Sequence, residues 1–181
     1  MEIINTPLAG LKVIQPKVWG DARGHFFESY SEAAFQAAGL PTDFVQDNQS
    51  LSASGILRGL HFQAPPFAQG KLVRVIVGAV LDVVVDIRKE SATYGEHFKI
   101  ELSADNKTTL WVPPGFAHGF LTLEDNTIFV YKVTGLYNKA SEGGLLWNDP
   151  QLGIDWGVAN PLLSDKDKVQ PSWADFVTPF E

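Results

Sequence analysis

Short runs of β-branched and aromatic residues, each closed off by Gly, Pro, Asp or Asn, recur along this chain and restrict it to β structure. The clearest are "FVQDNQSLS", "KLVRVIV", "VLDVVVDIR", "FKIELS", "TTLWVP", "GFLTL" and "TIFVYKV". Short strands with turn residues between them predict an all-β antiparallel sandwich or barrel. The best helical signature is "SEAAFQAAG", with Ser31 as N-cap, Phe35 in the middle and Gly39 as the stop. No repeat, low-complexity tract or linker interrupts the pattern. A length of 181 residues suits one domain, residues 1–181, with a full hydrophobic core.

Composition narrows the function. Hydrophobic residues make up 45% and charged residues 19%, an ordinary globular balance. A net charge of −7 argues against a nucleic-acid partner, because neutralising phosphates needs a broad basic surface. Cysteine is absent, which removes disulfides, thiolate metal sites and a Cys nucleophile. "MEIINTPLAG" lacks a basic n-region and an apolar h-region, and no run is long enough to span a membrane. The expected compartment is the cytoplasm.

Two hairpins can be registered. Gly78-Ala79 fits a Gly-first, two-residue turn, which would set Val75 opposite Asp82, Val73 opposite Val84, and Lys71 opposite Asp86 as its counter-ion. A second turn at Asp125-Asn126 would set Phe120 opposite Tyr131, with His118 diagonal to it on the same face.

Chemistry concentrates in "ILRGLHFQAPPFAQGKLVRV", where cations crowd His61 inside an apparent strand. The polar Arg58, His61 and Gln63 alternate loosely with apolar Leu57, Leu60 and Phe62. His61 can be a core histidine satisfied by a backbone carbonyl. If the polar set faces a barrel interior, its hydrogen-bonding groups need partners, and a bound polar ligand is the economical way to supply them. "GDARGHFFESY" reads either as a solvated loop or as Arg23 aimed at an anion beside a flat Phe26 or Phe27. "SDKDK" reads as a capped turn, or as Asp167 placed to orient an imidazole. "WVPPGFAHGF" looks like half of a cupin metal motif presenting His118. The other half should carry a His-x-His pair and a carboxylate, but reads His61-Phe62-Gln63 with Lys71 further on. An ammonium at that place repels a divalent cation, so no metal is expected.

Together these stretches resemble the dTDP-4-dehydrorhamnose 3,5-epimerase family, cupin-fold enzymes of nucleotide-sugar biosynthesis. "GDARGHFFESY", "FVQDNQS", "LRGLHFQ", "QGKLVRVIVGAVLDVVVDIR", "VPPGFAHGF", "VYKVTGLY", "LWNDPQLGIDW" and "LSDKDK" stand in the family's order over nearly the whole chain. Gln49 departs from the family, which often has His there. The resemblance implies a cupin-type antiparallel jelly roll with a few short helices. It matches His61 to the catalytic base, Asp167 to its carboxylate partner, Tyr131 to the opposing acid and Lys71 to the residue beside the sugar carbonyl. Arg23, Glu28, Gln46, Asn48, Arg58, His118, Tyr137, Glu142 and Lys166 match positions around the nucleotide and sugar, with Phe26 and Tyr137 stacking on thymine. It also implies a homodimer in which the partner subunit supplies some nucleotide contacts.

The implied reaction is 3,5-epimerisation of dTDP-4-dehydro-6-deoxy-D-glucose to dTDP-4-dehydro-L-rhamnose. A ketone next to the inverted carbon makes its proton acidic, so a base, an acid and a cation at the enolate oxygen suffice and no cofactor is required. Rival readings are an epimerase of a related deoxysugar inverting only C3 or only C5, a non-catalytic sugar-nucleotide-binding cupin, and a metal-dependent cupin oxygenase.

Overall fold

The computed structural model describes all 181 residues, and the punctuated runs become its strands. In chain order they are β1 (Glu2–Asn5), β2 (Lys12–Gln15), β3 (Val18–Asp21), β4 (Gly24–Phe27), β5 (Gln46–Ser52), β6 (Leu57–Gln63) and β7 (Lys71–Val77). There follow β8 (Ala79–Asp86), β9 (His97–Ser103), β10 (Thr109–Val112), β11 (Phe116–Thr122), β12 (Thr127–Val133) and β13 (Glu142–Gly144). One α-helix, α1 (Glu32–Ala37), starts where expected: the Ser31 side chain accepts from the Ala34 N–H, and Gly39 follows at φ +67°. No helix is long and apolar enough to cross a membrane.

Two antiparallel sheets make up the jelly roll. One is six-stranded, ordered β1-β2-β10-β7-β12-β5, and the other five-stranded, ordered β13-β6-β11-β8-β9. The remaining pair, β3 and β4, forms a separate ribbon. A cluster of 13 buried residues, including Val73, Val84, Leu110, Phe116, Phe120 and Phe129, joins the two inner faces. Each fully buried Val, Leu or Phe is worth about 1.5–3 kcal/mol, so this layer holds the sandwich shut.

The outer faces are covered too. Phe35 of α1 packs with Leu40, Leu72 and Trp111 over the six-stranded sheet. Leu145, Leu152 and Trp156, with Trp173, Phe176 and Phe180, cover the five-stranded one. This explains why "VLDVVVDIR" reads as a nearly unbroken apolar run. Val80 and Val84 of β8 join the inner layer, while Val83 and Val85 pack under the later segments.

Neither expected hairpin exists. β7 pairs with β10 and β12, whereas β8 pairs with β9 and β11. The chain crosses from one sheet to the other at Gly78, which has φ +77°. Lys71 therefore lies opposite Val112 and Val133, not Asp86. The Asp86 carboxylate is taken by Arg88 at 2.6–2.9 Å and by the Ser91 and Thr93 hydroxyls. β11 and β12 also belong to different sheets. Phe120 meets the β12 residue Phe129 across the interior, ring centroids 4.1 Å apart, instead of pairing with Tyr131. His118 and Tyr131 still share an environment, because both side chains enter that interior from opposite sheets.

An irregularity in β6 shapes the site. Strict alternation would send Arg58 and His61, three positions apart, to opposite faces. A register shift between His118 and Phe120 lets His61 pair with His118 while Arg58 pairs with Phe120, and both line the interior. The shift depends on two glycines. A Cβ on Gly119 would lie 2.8 Å from the Arg58 carbonyl oxygen and 3.1 Å from Gly59 Cα. Gly119→Ala is expected to force β6 and β11 apart and lower stability by about 1–3 kcal/mol in urea denaturation. Gly20→Ala, whose Cβ would meet nothing nearer than the Gly24 carbonyl at 3.7 Å, should stay within about 0.5 kcal/mol. Equal midpoints for the two variants would refute this account.

Candidate active site

The interior opens into a cavity of about 560 Å³ whose wall includes Arg58, His61, Lys71, His118, Tyr131, Lys166 and Asp167. A neighbouring cavity of about 360 Å³ shares His61, Lys71 and Tyr131 and adds Gln46, Asn48, Tyr137 and Glu142. Strands of both sheets and a later loop thus converge on a single recess. The most informative contact in it is a hydrogen bond of 2.6 Å between His61 Nε2 and Asp167 Oδ1.

That contact links distant parts of the chain. His61 projects from β6, and Asp167 opens a 3₁₀ turn, Asp167–Val169, with its N–H donating to Ser164 Oγ. The sequence stretch "SDKDK" is therefore both of the things it could be, a capped turn and the source of an imidazole partner. Asp167 is only 3% exposed. Burial pushes its carboxyl up, but the hydrogen bond and charge of His61, with help from Ser164 and the Gly59 N–H, outweigh this and hold it below the usual carboxylate range. An ionised carboxylate on Nε2 fixes the imidazole and leaves Nδ1 without a protein partner.

A second imidazole–carboxylate pair lies beside the first. His118 Nε2 stands 2.9 and 3.0 Å from the two oxygens of Asp82, and both residues are buried. Sequence reasoning missed Asp82, having set it opposite Val75. The signal was present: a lone carboxylate among valines has to find a partner. Burial pushes the Asp82 carboxyl up, against the pull of His118 and Lys71. Burial likewise lowers the Lys71 ammonium to about 8, with Asp82 and Glu142 opposing the fall. The carboxyl groups whose charge acts on Lys71 are thus Asp82 on β8 and Glu142, not the Asp86 that strand pairing suggested.

Tyr131 faces this group from β12. Burial raises its pKa, with Arg58 pulling the other way, so the phenol keeps its proton at neutral pH. Arg58 donates from Nε and Nη2 to Ser52 Oγ at 3.3 and 3.1 Å. Glu142 joins Lys166 in an ion pair and accepts from the Tyr137 hydroxyl at 3.2 Å. Gln46 donates to Asn48 at 2.7 Å. Gln63 is structural. It donates to the Phe67 and Leu136 carbonyls and accepts from the Asn138 N–H, which anchors the loop carrying Tyr137.

Three expected residues lie elsewhere. Arg23, Phe26 and Glu28 do not line either cavity. Arg23 clasps Asp21 at the ribbon tip, and Phe26, 66% exposed, stands beside Trp19 on the ribbon. The donor set also bears on the cupin metal motif. No group of three or more His, Cys, Asp or Glu side chains is gathered in a way that could hold a metal ion.

The chemistry open to this recess is proton transfer, with an imidazole held by a carboxylate, a phenol that keeps its proton and an ammonium between strands. The model of the dTDP-4-dehydrorhamnose 3,5-epimerase family matches residues 5–175. The chain belongs to this family. A curated dTDP-4-dehydrorhamnose 3,5-epimerase from Shigella flexneri is 53% identical over 168 residues, 92% of this chain and 93% of that protein. The crystal structure of a Bacillus anthracis 3,5-epimerase with TDP and PPi bound is 48% identical with a TM-score of 0.92, covering 94% of this chain and 98% of that one. A dTDP-6-deoxy-D-glucose-3,5-epimerase from Legionella pneumophila, in complex with dTDP-4-keto-L-rhamnose, is 47% identical with a TM-score of 0.87, covering 92% and 89%. The chain is an isomerase-type enzyme with the cupin jelly roll of this family.

Lys71 is expected to make the site sensitive to alkali. Its ammonium is lost as pH rises through about 8, and a neutral amine cannot stabilise an oxyanion. The kcat/KM profile is expected to fall above that pH. Asp82→Asn removes the charge that holds the Lys71 pKa up, so the alkaline limb should move to lower pH. A limb that stays in place in Asp82→Asn would show that Asp82 does not support Lys71.

Proposed function

We propose that this enzyme inverts C3 and C5 of dTDP-4-dehydro-6-deoxy-D-glucose, giving dTDP-4-dehydro-L-rhamnose. The observation that carries the reading is the His61–Asp167 pair sharing one cavity with the Tyr131 phenol and the Lys71 ammonium. Nδ1 of His61 removes the proton next to the C4 ketone, and the electron pair moves onto the carbonyl oxygen as an enolate. Lys71 stabilises that oxygen, Asp167 stabilises the imidazolium, and Tyr131 returns a proton to the other face. The base then gives its proton to solvent and the phenolate regains one. A second round at the other carbon completes the change, and no redox step occurs.

Arg58 and Lys166 are suited to the diphosphate, His118 to the sugar, and Gln46, Asn48, Tyr137 and Glu142 to the nucleoside end in the neighbouring cavity. Arg23, Phe26 and Glu28 cannot join them within one chain, since the ribbon lies away from both cavities. We assign these three to the site of a second copy, which makes the working enzyme a homodimer.

NMR of the product formed in deuterium oxide tests the reaction. Deuterium with inversion at both C3 and C5 is expected; inversion at one carbon alone would favour a single-position epimerase. Tyr131→Phe keeps the ring and loses the donor. It should exchange deuterium into substrate with retention and form inverted product about 100-fold more slowly or worse. Inversion at the wild-type rate would remove Tyr131 from the acid role. Arg58→Ala should weaken dTDP binding by about 1.5–3 kcal/mol in calorimetry, the worth of a charge-assisted hydrogen bond. An unchanged affinity would place the diphosphate elsewhere.

A further inference from the structure

The segment that supplies Asp167 is fastened to the start of β6 shortly before it does so. Ile56 and Leu162 form a parallel bridge, in which the Leu162 carbonyl accepts from the Leu57 N–H at 3.0 Å and the Leu162 N–H donates to the Gly55 carbonyl at 2.8 Å. Two residues on stands Ser164, which is exposed and lines the large cavity. The strand that carries His61 thus also anchors the backbone from which its carboxylate partner is presented.

The Ser164 side chain is more than the turn requires. The Asp167 N–H donates to the Ser164 carbonyl at 3.1 Å, and the same carbonyl accepts from the Lys168 N–H at 3.3 Å. Backbone groups alone therefore close the turn, and the 3.2 Å bond from the Asp167 N–H to Ser164 Oγ adds a second acceptor to a donor already satisfied. Accepting that bond leaves the hydroxyl its own proton to donate. The group it acts on is the Asp167 carboxyl, whose pKa the Ser164 side chain lowers together with His61. A hydroxyl bonded to a buried carboxylate makes a charge-assisted contact, stronger than one between neutral groups.

We infer that Ser164 is a positioning residue, whose hydroxyl donates to the Asp167 carboxylate and holds it against His61 Nε2. The inference rests on the epimerase reading above. Ser164 touches no reacting atom: it fixes the carboxylate, and the carboxylate fixes the imidazole. A carboxylate free to turn away would stabilise less well the imidazolium formed when His61 takes a proton.

Turnover of dTDP-4-dehydro-6-deoxy-D-glucose by the wild type comes first, and its absence would overturn the epimerase reading and this inference with it. Ser164→Ala is then compared by steady-state kinetics, deuterium exchange into substrate, thermal melting and calorimetry with dTDP. Both kcat and the exchange rate are expected to fall about tenfold, the worth of one hydrogen bond. KM, the dTDP dissociation constant and Tm should stay unchanged. An unchanged kcat and exchange rate would overturn the inference and leave the epimerase reading intact. A raised KM with weaker dTDP binding at full kcat would make Ser164 a direct substrate contact instead. Two more variants separate orientation from capping. Ser164→Thr keeps the hydroxyl and should recover most of kcat; a loss equal to that of Ser164→Ala would show that the hydroxyl is not what counts. Ser164→Asp keeps an acceptor for the Asp167 N–H, but it loses the donor and sets a second carboxylate against the first. Its kcat should fall below that of Ser164→Ala, and activity restored in Ser164→Asp would make Ser164 a cap and nothing more.

Discussion

Burial on both faces of β8 and β11 governs the chemistry of this protein. With the interior on one side and the Trp- and Phe-rich later segments on the other, a polar side chain on these strands cannot turn to water. It has to be paired where it stands. Asp82 and His118 meet that demand with each other, and Lys71 on the facing sheet lies within reach of the same carboxylate's charge. The recess is thus an electrostatic arrangement enforced by packing, in which His61, His118 and Lys166 each contact a carboxylate while Arg58 is held by the Ser52 hydroxyl. Such fixed charges need little reorganisation when charge develops on a bound molecule.

The fold was legible because its punctuation is local. Gly, Pro and Asn separate runs that alternate or stay apolar according to how many faces are covered, and the Ser31 and Gly39 signals bracket α1 with little room for error. Partnership between strands was not legible in the same way. A Gly-first two-residue turn and an even-length loop look alike whether the chain folds back beside itself or crosses to a facing sheet. Gly78 and the Asp125-Asn126 loop both do the second. The co-location of His118 and Tyr131 survived because residues pointing into a sandwich meet across it as well as along a strand.

The site was legible in unequal parts. His61, Lys71, Tyr131 and Asp167 are chemically conspicuous in their surroundings, and the family pattern orders them. Asp82 was hidden by its own neighbourhood, where the surrounding valines explain the strand and say nothing about a partner on β11. Arg23, Phe26 and Glu28 are the opposite case, conspicuous in sequence and remote from both cavities in a single chain.

The imidazole and the carboxylate that orients it are separated by 106 positions along the chain. His61 belongs to the sandwich, whereas Asp167 reaches it from the covering that follows the last strand. The barrel and its imidazole–carboxylate pair are therefore distinct achievements of folding. A molecule with every strand in place is still chemically incomplete until the covering segment docks, and an excursion of that segment would disconnect the couple without opening the core. The pair is a property of the wrapped barrel, and the cladding that looks like insulation also supplies half of it.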